Sequence, residues 1–375
     1  MQVSLLTILR EWGRIGCIGF GGPPAHIALL RDLCVRRRRW LSGQDFEDAI
    51  AACNLLPGPA STQLAIYCAW RLRGRIGALV GGVAFIVPGL AAIIALAALF
   101  LAAAPPHWVL GAGAGAGAAV SAVALRAGWS LVPASWRRAA TTSRLRWIVY
   151  AFAGGAAAAA IGQWLVLVLL ACGAVELVLQ RSAPKAAPLL LAATPAMGGL
   201  LALAWVAFKV GALSYGGGFV IIPLMQSDAV GHYHWMTSAQ FLNAVALGQV
   251  TPGPVVQTVA VVGYAARGVG GALLAAVVAF TPSFAFIIVG GERFDRLRRD
   301  EHARAFLDGA GPAAIGAIVG AAIPLARALN EGWQFGVLAG AAVALLVLRR
   351  GIVATLLLAG AAGVAAAVSG APLPH

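Results

Sequence analysis

Long apolar stretches, broken by short polar or basic interruptions, fill this chain, and their order occurs twice. In the first half they run over roughly 3–34, 44–70, 76–104, 108–132, 147–161 and 163–180. In the second half they run over roughly 196–226, 239–265, 269–291, 304–327, 333–347 and 352–370. Segments 76–104 and 269–291 are long enough to cross a hydrocarbon core of about 30 Å as simple helices. The Gly- and Ala-rich fourth segments predict close helix–helix contact. The Ala/Gly runs 111–119 and 153–160 read as thin helix faces rather than linkers. The first two segments of each half differ from the rest. Gly19 to Pro24 and Pro57-Gly58-Pro59 interrupt them in the first half, with counterparts in the second. Proline lacks a donor and clashes with the preceding turn, so each P-G-P ends one helix and starts another.

The repetition extends to single residues, about 195 positions apart. Arg14 to Gly22 matches Lys209 to Gly217, Trp40 falls on Trp235, Phe46 on Phe241 and Asn54 on Gln249. Pro57-Gly58-Pro59 falls on Pro252-Gly253-Pro254. After one deletion Gln63 matches Gln257, Trp70 matches Tyr264, Gly74 matches Gly268 and Pro88 matches Pro282. Residues 1–183 are therefore read as a first repeat, 184–195 as a linker and 196–375 as a second repeat. Duplication of this kind places a transporter's site between the halves.

Composition narrows the class. Hydrophobic residues make up 61% of the chain and charged residues 11%, too few to cover a soluble globule of this length. The expected fold is an all-α polytopic membrane protein. The net charge of +14 sits in short arginine runs between apolar stretches, the pattern of loops beside anionic lipid rather than of nucleic-acid binding. The five cysteines, none in C-x-x-C spacing, read as packing residues, and no cleavable signal peptide is evident.

The same charges predict orientation. Arg36 to Arg39 follow the first segment, whereas the matching loop 227–238 carries no Lys or Arg. After the third segment the bias reverses: Pro105-Pro106-His107 is answered by Arg293, Arg296, Arg298, Arg299 and Arg304. Basic loops stay cytoplasmic, so the repeats should be inverted, with segments one and two of each half as re-entrant hairpins. The N-terminus is then cytoplasmic and the C-terminus outside. The extra crossing this requires is placed between about Pro188 and Phe208.

Broken helices in lipid free backbone groups that only protein, water or substrate can satisfy. Helix N-termini facing the breaks present N–H donors and partial positive charge, which suit an anion. The candidate substrate-binding set is Gly21, Gly22, Asn54, Pro57, Gly58, Pro59, Ser61, Thr62 and Gln63 in the first half. In the second half it is Ser214, Tyr215, Gly216, Gly217, Gln249, Thr251, Pro252, Gly253, Pro254 and Gln257. Neutral donors suit an oxyanion that must bind and leave. Arg14 and Lys209 are matched charges inside apolar segments and join the list as intramembrane candidates. His232-Tyr233-His234 reads as a polar loop, so no metal or other cofactor is expected. With no nucleophile–base pair, P-loop or dinucleotide motif, the chain is read as a non-enzyme.

At these residues the chain resembles the chromate ion transporter family, long-chain two-domain type. The motifs are Gly19-Phe20-Gly21-Gly22-Pro23-Pro24-Ala25-His26-Ile27, Arg36 to Ser42, and Asn54 to Ala65 with its P-G-P. The second half carries Gly216-Gly217-Gly218, Val220-Ile221-Ile222-Pro223 and Gly248-Gln249-Val250-Thr251-Pro252-Gly253-Pro254. The resemblance implies a bacterial inner-membrane carrier that exports chromate, a tetrahedral dianion like sulfate, by alternating access. Some relatives carry glutamate where this chain has Gln249. A carrier of sulfate or another anion, an anion channel, and a homodimeric assembly stay open.

Overall fold

The computed structural model describes the chain except residues 1–2, 55, 140–143, 161, 181–198, 215–217, 292–299 and 375. The predicted linker at 184–195 lies outside the described residues, as does the first part of the proposed extra crossing. Regular structure among the described residues is helical throughout, and several helices are long and apolar enough to cross a membrane. This is an all-α polytopic membrane protein.

The first-segment break separates α1 (Leu5–Ile18) from α2 (Pro23–Arg31). The P-G-P break separates α3 (Gly43–Cys53) from α4 (Ala60–Phe100). Ser4 and Ser42 cap α1 and α3, accepting from the N–H groups of Thr7 and Asp45 at 3.1 and 3.0 Å. The next helices are α5 (His107–Ala118), α6 (Val120–Arg138), α7 (Arg144–Ala160) and α8 (Leu165–Leu179). The second half supplies α9 (Gly199–Leu213), α10 (Ile221–Gln226), α11 (Ser238–Val250) and α12 (Thr258–Gly290). It ends with α13 (Glu301–Gly320), α14 (Ala322–Arg327), α15 (Gly332–Ala342) and α16 (Ile352–Val368).

Local geometry repeats with the sequence. A widened turn after α2 has Arg38 N–H on Leu33 O (3.0 Å) and Trp40 N–H on Cys34 O (2.8 Å). After α10 the same bonds run from Tyr233 to Asp228 O and from Trp235 to Ala229 O, both 2.8 Å. Arg39 and His234, at equivalent positions, both take the left-handed conformation (φ 52° and 50°). Within α4 the path reverses at Arg73-Gly74, and within α12 at Arg267-Gly268, where each glycine adopts a positive φ (58° and 60°). Beyond each turn the chain packs back on itself, Gly77 and Gly81 against Ala69, and Gly271 against Gly263. Residues 60–72 alone therefore span only about 20 Å, less than the hydrocarbon core.

Two compact units emerge, each drawing on both halves. The first contains Met1–Ala95, Leu203–Gly218 and Gly248–Asp300. Gly16 of α1 packs on the Phe85 carbonyl and its equivalent Gly211 of α9 on the Ala279 carbonyl, so each half makes the same backbone contact. Trp12 Nε1 donates to Ala65 O at 2.8 Å. Glu11 pairs with Arg38 (2.5 Å) rather than with Arg14.

The second unit contains Leu96–Ala202, Phe219–Leu247 and Glu301–His375. Its helices pair across the halves: α13 packs on α7 and α8, and reciprocally α5 packs on α16. Small residues permit the approach. Gly316 and Gly320 lie on the backbone of Ala151 and Gly155, and Gly111 and Gly115 on Gly363. Beside α13, the buried carboxylate of Glu176 is satisfied by Arg146 (3.0 Å), Tyr150 (2.9 Å) and Gln180 (3.0 Å).

Candidate functional site at the helix breaks

The four breaks meet within the first unit as a closed ring of contacts. The first is tied to the fourth by Gly253 N–H on Gly19 O at 3.0 Å, and Gly22 lies against Val255. The fourth meets the third where Gly218 packs beside Val255, Val256 and the Ser214 hydroxyl. The second meets α9 just before the third: a methyl added to Gly58 would lie 3.3 Å from Gly211 O and 3.3 Å from Ser283 Oγ. His26 closes the ring between first and second, with Nε2 2.9 Å from Gly19 O and Nδ1 3.2 Å from Ser61 Oγ. A carbonyl only accepts, so Nε2 carries the proton, and a neutral ring leaves Nδ1 to accept from the Ser61 hydroxyl.

The P-G-P glycines hold this geometry open. Gly58 and Gly253 sit at φ 120° and 100°, where other residues are strained. The packing is again reciprocal: Gly58 faces Ser283, while the Pro252 carbonyl rests against Gly89, the residue equivalent to Ser283. Past the break α4 begins at Ala60, and Pro59 O accepts from the N–H groups of both Thr62 (2.9 Å) and Gln63 (3.0 Å), so the positive end of the helix lies at the break.

Of the predicted site residues, Ser61, Thr62, Gln63, Ser214, Gln249, Thr251 and Gln257 are buried at or beside the breaks. Gly58, Pro59, Gly253 and Pro254 form their buried backbone, with Pro252 half-buried; Gly21, Asn54 and Pro57 are exposed and Gly22 is half-buried. Tyr215, Gly216 and Gly217 lie outside the described residues. The matched charges part company: Lys209 is buried, whereas Arg14 is exposed.

Several buried polar atoms here have no hydrogen-bond partner: Thr62 Oγ1, Ser214 Oγ, Gln249 Nε2 and Ser283 Oγ, together with Gln63 Oε1 and Gln257 Oε1. Such atoms are rare in a folded chain and cost about 1–3 kcal/mol each if nothing meets them. Sequence reasoning missed His26 and Ser283 as site residues. Their positions in the other half hold Ile221 and Gly89, so the repeat gave no signal; a lone histidine inside an apolar segment was the remaining clue. A separate cavity of about 520 Å³, walled by Leu79, Val83, Val87, Val277, Phe280 and Phe284, is apolar and unsuited to an ion.

The sequence profile described as "Chromate transporter" matches residues 6–177 and 201–364, one stretch in each half. The chain belongs to the chromate transporter family. Among relatives, it is 32% identical over 374 residues to a chromate transport protein of Cupriavidus metallidurans, covering 96% of this chain and 92% of that one. A chromate transport protein of Pseudomonas aeruginosa is 31% identical, with 88% and 83% covered. A probable chromate transport protein of Synechococcus elongatus is 28% identical, with 86% and 85% covered. No solved structure matches this chain. Both stretches of the chromate transporter profile include P-G-P breaks, so the ring is built from residues inside the matched region.

Proposed function

We propose that this chain is a secondary carrier that exports chromate across the bacterial inner membrane by alternating access, holding the anion at the ring of helix breaks. The observation that carries the reading is the set of four buried, unpartnered donors there: the hydroxyls of Thr62, Ser214 and Ser283 and the amide of Gln249. A tetrahedral oxyanion brings lone pairs for all four, and the leading N–H groups of α4 add favourable partial charge. Neutral donors keep the complex dissociable, as a carrier needs. The family relatives named for chromate transport support the choice of anion.

Uptake of labelled chromate into everted vesicles tests this. Saturable uptake that depends on the proton gradient is expected. Thr62→Val and Ser283→Ala should each lower it about tenfold or more at normal membrane expression, given one lost hydrogen bond to the anion of about 1–3 kcal/mol. Unchanged kinetics in both variants would remove the ring from consideration. Uptake without saturation or counterflow would identify a channel.

A further inference from the structure

Gln63 and Gln257 hold equivalent places in the two halves, and both are fully buried (0% and 1% exposed). A backbone carbonyl orients each amide. Gln63 Nε2 donates to Pro57 O at 2.8 Å, and Gln257 Nε2 to Ile86 O at 2.8 Å. A carbonyl cannot donate, so the NH2 end must face it; flipping either amide would set two acceptors against each other. Each glutamine is left presenting Oε1, and neither Oε1 has a partner. Gln257 Oε1 faces the second P-G-P break, where a methyl on Gly253 would meet it at 3.1 Å and one on Gly89 at 2.6 Å.

Four donors alone would suit a bare dianion. Two buried acceptors change the chemistry, because chromate and sulfate dianions bring only lone pairs, which an amide oxygen repels. Resting on the reading above, the geometry points to a site that takes an oxyanion still carrying an acidic O–H: hydrogen chromate rather than the chromate dianion. The O–H donates to a glutamine Oε1, while the remaining oxygens accept from Thr62, Ser214, Gln249 and Ser283. The proton is acquired in solution, CrO4(2−) plus H+ giving HCrO4(−), and no further transfer is needed on binding. A single negative charge also costs less to desolvate among neutral donors than two do. One O–H serves one glutamine at a time, and the repeat offers an equivalent acceptor in the other break.

Selectivity follows. Chromate takes up its proton near neutrality and phosphate retains one there, whereas sulfate and selenate retain none. The elements around the breaks carry titratable and charged groups of their own: Arg10, Glu11, Arg14 and Cys17 on α1, His26 and Arg31 on α2, Asp45, Glu47, Asp48 and Cys53 on α3, Tyr67, Cys68, Arg71, Arg73 and Arg75 on α4, Lys209 on α9, and Tyr264 and Arg267 on α12. Selenate, unprotonated throughout, isolates their contribution.

The experiment is equilibrium dialysis of labelled chromate against the purified full-length protein from about pH 6 to about pH 8.5, with sulfate, selenate and phosphate as competitors. Kd in total chromate should weaken about tenfold per pH unit above chromate's own ionisation and stay constant when expressed as hydrogen chromate. Near neutrality phosphate should compete better than sulfate or selenate, and the Gln63→Leu/Gln257→Leu double variant should lose the preference. A flat Kd in total chromate, with sulfate competing equally, would overturn protonated-anion binding while leaving an oxyanion site intact. A selenate Kd with the same pH slope would assign the titration to the protein and overturn it equally. Absence of saturable chromate binding at every pH, in monodisperse protein, would instead strike the proposed function itself.

Discussion

His26 shows how one side chain can hold several elements in register. Its ring spans the Gly19 carbonyl and the Ser61 hydroxyl, and Gly19 O also accepts from Gly253, so three breaks converge on it. His26→Ala would leave the buried Ser61 hydroxyl unpaired and remove one of the two bonds to Gly19 O. A loss of about 1–3 kcal/mol is expected, read as a lower melting temperature in fluorescence-detected size exclusion. His26→Gln keeps a donor for Gly19 and should recover part of the loss. Melting unchanged in His26→Ala would show that the ring closes without this contact. The repeat made Gln63, Gln257 and the P-G-P triplets legible before any coordinates, because matched polar residues in apolar segments stand out. His26 and Ser283 were not legible by that route, since Ile221 and Gly89 occupy their counterparts. Nor could the sequence separate Arg14 from Lys209: burial depends on what packs over each, and only Lys209 is covered.

Among elements, glycine decides which helices can touch. Gly16 and Gly211 let α1 and α9 rest on the carbonyls of Phe85 and Ala279. A methyl at Gly16 would lie 2.6 Å from Phe85 O, and one at Gly211 would overlap Ala279 O. Gly16→Ala and Gly211→Ala should each destabilise by about 1–3 kcal/mol, the range for forcing atoms into a packed interface. Gly43→Ala is the control, with nothing within 4 Å of the added carbon. Equal melting temperatures for all three would refute backbone contact at these crossings. The positions of helices and breaks were readable from apolar runs and prolines. Their partners were not: nothing in the Gly/Ala pattern of α5 says that it packs on α16, since any small-residue face fits another.

For the whole molecule, charge is the feature that bears on direction through the bilayer. Arg36 to Arg39 follow α2, while the structurally equivalent turn after α10 carries Asp228, His232 and His234 and no Lys or Arg. The two turns share their backbone hydrogen bonds and left-handed residue, so the fold does not require the difference in charge. Cytoplasmic retention of arginine explains it, provided that the two repeats are inserted upside down. The interleaving of both halves in each compact unit fits a duplication whose copies pack reciprocally on one another rather than folding as separate domains. Labelling with a membrane-impermeant thiol reagent tests the inversion. Cys34, Cys53, Cys68 and Cys172 are buried, so replacing the exposed Cys17 with Ala leaves a quiet background. In that background Arg37→Cys should label only from the cytoplasmic face and His232→Cys only from the outside. Labelling of both from one face would place the repeats in parallel, and the arginine asymmetry would then need a cause other than topology.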